Sequence, residues 1–338
     1  YYDFSRSFFK NNFGSFNFIS QGDNILKDTN SLRSRMINNL SIQSNDNFTK
    51  LGFKNNFNYY LKNTITAGKN NINYDSSPNI KFMNIFEAIS SFPLIDINEN
   101  YVNYLNPKIS LRINPSNMKS YKDENRQINN DNLFNINRLG LIDTLESGQN
   151  LTLGLDYRKE NINDINKYFE FKLGKVLRTK SNENIPSNST LDKKNSNYFG
   201  KLTNNLNKNV NLNYEFSINH ELNKIQYNSF GASIIRDNFS TKFNYIEEDG
   251  VIGSTNILEN VTTFNFDKQN FVTFRTRENR EIDLTEYYDL IYEYKNDCLV
   301  AGIKYNKTYY KDRDLEPTED FMLSIKLIPL TSVEQKFA

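Results

Sequence analysis

The chain has 338 residues with 41 basic and 40 acidic side chains, a net charge of +1 that gives no electrostatic case for a nucleic-acid partner. Hydrophobic residues make up only 37%, low for a soluble globular domain, while aromatics reach 14%, which excludes the aromatic-poor composition of a disordered chain. One cysteine, Cys298, and one histidine, His220, cannot build a metal cluster by themselves, and no cofactor is implied. A transmembrane β-barrel reconciles low hydrophobicity with many aromatics, because only its outward band must be apolar while its interior and loops stay polar.

No stretch approaches the roughly 18 apolar residues of a spanning helix. The most apolar window, Ile85 to Ile97, is interrupted by Glu87, Ser90, Ser91, Pro93 and Asp96. Lipid tolerates only helices and closed barrels, so any crossing falls to strands. The opening Tyr-Tyr-Asp-Phe-Ser-Arg has neither the basic nor the apolar region of a signal peptide. For an exported protein, this predicts a fragment that lacks its N-terminal part.

Strands are expected from near Phe13 onward. Ser116–Asn132 and Lys180–Ser196 are long and polar and read as external loops, the second with the Asn, Ser, Pro and Lys content of a mobile segment. Between and after them the chain alternates with period 2, the mark of a strand with two different faces. The runs are Leu151-Leu153-Leu155-Tyr157, then Phe169-Phe171-Leu173, then Val210-Leu212-Tyr214-Phe216-Ile218 against Asn211, Asn213, Glu215, Ser217 and Asn219. His220, after the last of these, reads as a turn residue: no catalytic partner set such as G-x-S-x-G accompanies it.

The pattern resumes at Phe239-Phe243-Tyr245, Tyr288-Leu290-Tyr292-Tyr294 and Leu299-Ala301-Ile303-Tyr305. It closes with Phe321-Leu323-Ile325-Leu327 against Ser324 and Lys326. Arg275 and Arg277 are expected to point inward or lie near the interface, since a lipid-facing Arg costs about 2–4 kcal/mol at the bilayer midplane. In all, roughly 16 strands end near Leu330, within the known barrel range. The fold class expected is all-β: a large antiparallel transmembrane β-barrel, N-terminally incomplete, spanning residues 1–338 as one domain.

Barrels place short turns in the periplasm and longer loops outside. Lys295-Asn296-Asp297 is tight and reads as periplasmic, and Lys311 through Glu319 is longer and reads as extracellular. The final strand then runs inward and leaves Thr331 to Ala338 as a periplasmic tail. On these residues alone a passive porin-type nutrient channel, an outer-membrane enzyme and a soluble β-rich adhesin remain as rivals.

Three segments go further. Asn132-Leu133-Phe134-Asn135-Ile136-Asn137-Arg138-Leu139-Gly140, with Asp143, Glu146 and Gly148, continues into Gly154-Leu155-Asp156-Tyr157. Tyr288 through Cys298 to Tyr309 is a tyrosine-rich hairpin turning at a cysteine, and Tyr310 to Pro317 precedes a strand ending Lys326-Leu327-Ile328-Pro329-Leu330. Together with fainter matches at Gly14-Ser15-Phe16 and Tyr104-Leu105-Asn106-Pro107, these resemble, in order, the C-terminal barrel of the lipopolysaccharide (LPS) assembly family, the LptD/OstA-like outer-membrane translocon.

The resemblance implies a protein of the Gram-negative outer membrane that inserts LPS into the outer leaflet and catalyses no chemistry. Its implied partners are LPS, a lumenal plug lipoprotein, periplasmic LPS-bridge proteins, the barrel-assembly machinery and outer-membrane lipids. The family's periplasmic jellyroll and first strands are missing from this sequence. Cys298 would form a disulfide to a cysteine in that missing region; the plain alternative is an inert thiol. Phe321, Leu323, Ser324, Ile325, Lys326, Leu327 and Pro329 would form half of a lateral gate. Asn132, Leu133, Phe134, Asn137, Arg138, Asp143, Glu146 and Gly148 would shape the lumen or plug. The alternative for that set, and the plainer one, is a polar cluster that hydrogen-bonds itself and holds a loop.

Overall fold

Alternating sequences bury one side-chain set and expose the other only when paired as strands, and strands are what the chain forms. The computed structural model describes residues 1–10, 14–27, 29–71, 74–250, 253–309, 317–327 and 331–337. These contain 20 strands in one sheet. No helix among the described residues is long and apolar enough to cross a membrane. The chain divides into two units, one of Tyr1–Asp96, Tyr104–Tyr157 and Lys172–Gly200, the other of Ile97–Asn103, Arg158–Phe171 and Lys201–Ala338.

In the first unit β1 (Tyr2–Lys10) pairs with β2 (Gly14–Lys27), which pairs with β3 (Ser31–Ser44). The two-residue β4 (Asn47–Phe48) and β3 both pair with β5 (Lys54–Lys69), followed by β6 (Asn79–Ser91), the short β7 (Leu94–Ile97) and β8 (Tyr101–Asn114). Then come β9 (Gly148–Asn161), β10 (Tyr168–Arg178) and β11 (Asn195–Asn207). Residues directly opposite in a ladder share a face. Register therefore aligns Phe16, Ile42, Tyr59, Phe86 and Ile113 on one face of β2, β3, β5, β6 and β8. One position along, Ser15, Gln43, Asn58, Glu87 and Arg112 align on the other. One run of polar groups on the apolar face is linked across three strands: Ser20 donates to Asn38 (2.7 Å), Asn38 to Asn63 (3.0 Å) and Asn63 to the Lys81 carbonyl (3.2 Å), the satisfaction an apolar surround favours.

The second unit holds β12 (Val210–Ile218), β13 (Ile225–Arg236), β14 (Phe239–Asp249), β15 (Ser254–Asn265), β16 (Asn270–Asn279), β17 (Leu284–Lys295), β18 (Leu299–Thr308), β19 (Glu319–Leu327) and β20 (Thr331–Phe337), each antiparallel to the next. Phe239, Phe264, Val272, Tyr292, Ile303 and Leu323 form one apolar row across β14 to β19. Aromatic pairs reinforce it, Phe239 with Phe264 at 4.9 Å and Phe274 stacked on Tyr288 at 6.0 Å between ring centres, each contributing about 0.5–1.5 kcal/mol beyond burial. Opposite-charge pairs occupy the other face: Lys201–Glu215 (2.8 Å), Arg277–Glu286 (2.7 Å) and Lys304–Asp289 (3.1 Å). Arg275 and Arg277 lie on that face with Thr273, opposite to Phe274, as the cost of a lipid-facing Arg demands.

Each alternating run read from sequence is a strand, and the described residues form 20 strands where roughly 16 are expected. β1 precedes Phe13, and β4 and β7 are too short to alternate visibly. The expected periplasmic tail is instead strand β20, in register on β19 from Leu327↔Thr331 to Phe321↔Phe337. In sequence, Thr331, Val333, Gln335 and Phe337 do alternate with Ser332, Glu334 and Lys336, and β-branched and aromatic residues favour the strand. Tyr310, Lys311 and the rest of the loop to Glu316, and Ile328-Pro329-Leu330, lie outside the described residues.

Candidate functional site

The two long polar stretches do not hang free. Residues 115–147, between β8 and β9, and 179–194, between β10 and β11, pack onto the polar face of the first unit. Met118, Ile128, Leu133, Leu139, Leu141, Ile185 and Leu191 join Val176 and Phe199 in one buried cluster. Ile185 and Leu191, in the stretch whose composition suggests mobility, are both 0% exposed. The strands make room for them. Gly174 stands where a Cβ would run into the Leu133 side chain, and at Gly154 a Cβ would lie 2.6 Å from the Phe134 ring.

Three carboxylates fix this insert to the sheet. Glu146 is held by Arg138 through Nε and Nη2, both at 2.7 Å, and by Arg178 from the end of β10. Arg138 further donates to Thr152 (3.0 Å) and Asn150 (3.1 Å), and Asn114 donates to the Glu146 carbonyl (2.9 Å). Burial pushes the Glu146 carboxyl up, but Arg138, Arg178 and Arg112 outweigh it and bring it from 4.5 down to about 2. Gly148 turns the chain into β9 with φ +92°, a left-handed value, and a Cβ there would stand 2.8 Å from Arg178 Nη2.

Glu87 of β6 accepts from Arg112 Nε (2.6 Å), Ser110 (3.0 Å) and Asn58 (3.0 Å), while the remaining Arg112 nitrogens donate to the carbonyls of Asn135 (3.0 Å) and Phe134 (2.6 Å). One guanidinium thus ties a strand carboxylate to the insert backbone. Asp143 accepts from the Tyr74 and Tyr121 hydroxyls and from Lys119 (3.2 Å). Burial raises its carboxyl, yet those donors hold it below the ordinary range. The same contacts, after burial, push the Tyr74 hydroxyl up from 10.0 to about 12 and the Tyr121 hydroxyl upward as well. Lys62 of β5 donates to the carbonyls of Ile142 (2.8 Å) and Leu141 (3.4 Å), and Asn137 exchanges two 2.8 Å hydrogen bonds with Leu141. The arrangement is a clamp: it fixes a folded insert on a polar wall and contains no nucleophile–base pair.

The sequence-family model of LptD, LPS transport system D, matches residues 9–277. The chain belongs to this family. LptD is a transport and assembly family, and its member here is an integral outer-membrane β-barrel protein. The match includes the Asn132–Gly148 segment and ends before Tyr288, so the resemblance of the last hairpin and closing strand rests on those segments alone. No curated protein compared with the chain matches it. Among solved structures, the chain is similar to a single-substitution mutant of the ferric enterobactin receptor PfeA from Pseudomonas aeruginosa, with 9% identity, 99% of this chain and 62% of the receptor covered, and a TM-score of 0.46. It is also similar to a mutant of the Rhodopseudomonas blastica porin, with 9% identity, 99% of this chain and 100% of the porin covered, and a TM-score of 0.34. The chain thus spans less than two thirds of the receptor's length.

In this family member, Leu133, Phe134, Asn137, Arg138, Asp143 and Glu146 lie in the insert, and Gly148 opens β9 directly after it. Asn132 stands at its exposed edge, accepting from the Asn129 N–H (2.9 Å) and donating to the Gln127 carbonyl. Several of them hydrogen-bond within the segment, Arg138 to Glu146 and Asn137 to Leu141. Cys298 belongs to the second unit, exposed and free in the turn between β17 and β18, and the sequence holds no second cysteine. Phe321, Leu323, Ser324, Ile325, Lys326 and Leu327 are in β19; Pro329 is outside the described residues. With β18 on one edge and β20 on the other, β19 is not an open-edged closing strand. His220 sits exposed in a turn, 3.9 Å from Glu221. Sequence reasoning passes over the part played by Glu87, Arg112, Arg178, Lys62, Lys119, Tyr74 and Tyr121. The one visible signal is Glu87, a carboxylate set between Phe86 and Ala88 at the start of the most apolar window of the chain.

Proposed function

We propose that this protein delivers LPS to the outer leaflet, with the sugars travelling along the polar face and the acyl chains along the apolar one. The observation that carries the reading is the LptD match over residues 9–277. The two-faced sheet supports it: an amphiphile needs a wall that offers charged, hydrogen-bonding groups on one side and apolar rows on the other. The folded insert 115–147 serves as a fixed lining, anchored by Glu87, Asp143 and Glu146, past which a hydrated glycan moves without the wall collapsing. The protein supplies position, not bond chemistry, and the driving work comes from outside it.

In this reading LPS arrives from periplasmic bridge proteins, a lipoprotein docks in the lumen, and the barrel-assembly machinery inserts the protein. Strand β19 lies next to the exit for the acyl chains rather than forming its open edge, since both of its own edges are paired. Cys298, in its exposed turn, bridges to a cysteine outside this sequence.

Reconstitution tests the proposal. The full-length protein, placed in liposomes with its lipoprotein and bridge partners, is expected to receive labelled LPS in a form accessible from outside. Solute conductance with no LPS arrival would favour a nutrient channel instead.

A further inference from the structure

Beside the Asp143 clamp lies a cavity of about 140 Å³ on the polar face of the first unit, walled by β5, β6, the turn before β6 and the insert. Its charges are not all used. Lys119 is committed to Asp143 (3.2 Å) and lies over the Tyr74 ring at 4.3 Å. The Lys81 ammonium and the Asp75 carboxylate, both exposed and both lining the cavity, have no side-chain partner among the described residues and do not pair with each other. Lys62, two residues from Thr64 on the same face of β5, lies outside the cavity lining and is spent on the carbonyls of Leu141 and Ile142. Of the two lysines and two aspartates lining the cavity, Lys119 and Asp143 hold each other, which leaves one cation and one carboxylate available.

We infer that this cavity binds an acidic sugar, one bearing a phosphate or carboxylate. Lys81 takes the anionic group in a charge-assisted hydrogen bond. Asp75 accepts from ring hydroxyls, and the hydroxyls of Thr64 and Thr66 supply further partners. At roughly 10–15 Å³ of probe-occupied volume per water, about 140 Å³ is on the scale of one charged saccharide head, and the Lys, Asp and Thr lining, not the size, disfavours an acyl chain. A neutral sugar would leave Lys81 unused, and a bare anion would leave Asp75 unused and repelled. The inference rests on the proposed LPS cargo and names the part of that cargo the site would grip.

Calorimetry on the full-length protein in detergent, with glucosamine 1-phosphate, inorganic phosphate and N-acetylglucosamine as probes, tests it. The phosphosugar is expected to bind at least tenfold more tightly than either other probe. Lys81→Met and Asp75→Asn should each weaken it by about tenfold, while Lys81→Arg retains it. Equal phosphosugar affinity in Lys81→Met and wild type overturns the inference, as does phosphate binding that matches the phosphosugar and ignores Asp75→Asn. Photo-crosslinking from position 79 separates the sources: an LPS adduct identifies the lipid-borne sugar, and an adduct only to added phosphosugar overturns the link to cargo. Liposome delivery by the wild type is scored independently, so LPS delivery without phosphosugar binding removes the pocket and leaves the functional reading intact.

Discussion

Arg138 clasps Glu146 through two parallel hydrogen bonds of 2.7 Å, with the arginine side chain 0% and the glutamate 5% exposed. The planar fork of the guanidinium matches the carboxylate, so the contact fixes orientation as well as distance. Only eight residues apart on one loop, the two close the insert on itself. Arg178, from β10, then ties that closed loop to the sheet.

Breaking this cluster has unequal consequences. Glu146→Gln leaves two buried guanidinium groups uncompensated, whereas Arg138→Gln leaves Glu146 still paired with Arg178. Removing one partner of a buried pair costs about 3–5 kcal/mol. Glu146→Gln is expected at or above the top of that range and Arg138→Gln at or below its foot, read as protease sensitivity of residues 115–147 across a urea titration. Equal costs would show that Arg178 contributes nothing to holding Glu146.

The insert should also loosen at both ends of the pH scale. Glu146 is depressed in the fold from 4.5 to about 2, so its contribution is fully present above pH 4.5 and disappears as pH falls toward 2. Tyr74 is raised from 10.0 to about 12, so its contribution is present below pH 10 and is lost as pH rises through 12. Tyrosinate absorbance of wild type minus Tyr74→Phe should show the second titration above about pH 11. A midpoint at the ordinary tyrosine value would mean that the Asp143 contact is not made.

A steric pair offers a test independent of charge. Gly174→Ala drives a methyl into the Leu133 Cδ2, and overpacking of this kind costs about 1–3 kcal/mol. Leu133→Ala alone opens a cavity and costs about 2–5 kcal/mol. Combined, the two changes partly compensate, so the double variant should be more stable than the sum of the singles by at least about 1 kcal/mol. Strict additivity in urea unfolding would place Leu133 elsewhere.

Cys298 separates two states of its turn. In this chain the thiol is free and exposed, so a maleimide reagent should label it fully. In the full-length protein from cells, the proposed bridge to a cysteine outside this sequence predicts labelling only after reduction. Full labelling without reductant would remove the disulfide proposal.

Much of the sheet was legible because strands announce themselves locally. In β12, β17, β18 and β19 a period of 2 survives with hardly a break, and the structure adds only their partners. The insert was not legible, because Met118, Ile128, Ile185 and Leu191 are single apolar residues scattered through Asn- and Ser-rich runs with no period to mark them. Their burial depends on the sheet behind them. The same holds for Glu87 and Arg112, which meet only because β6 and β8 pair in one register across 25 residues. Segment likeness could collect Arg138, Asp143 and Glu146, which are close in sequence, but not the tyrosines and arginines that reach them from other elements.

Passage of LPS along the polar face is tested most directly by site-specific photo-crosslinking in cells producing the full-length protein. Ser324 lies on the polar face of β19, opposite Gly302, while the adjacent Leu323 lies on the apolar face. The expected result is an LPS adduct from a photoreactive residue at 324 that disappears when the periplasmic bridge is depleted. A folded, abundant protein giving no LPS adduct at 324 or at Lys326 would contradict it.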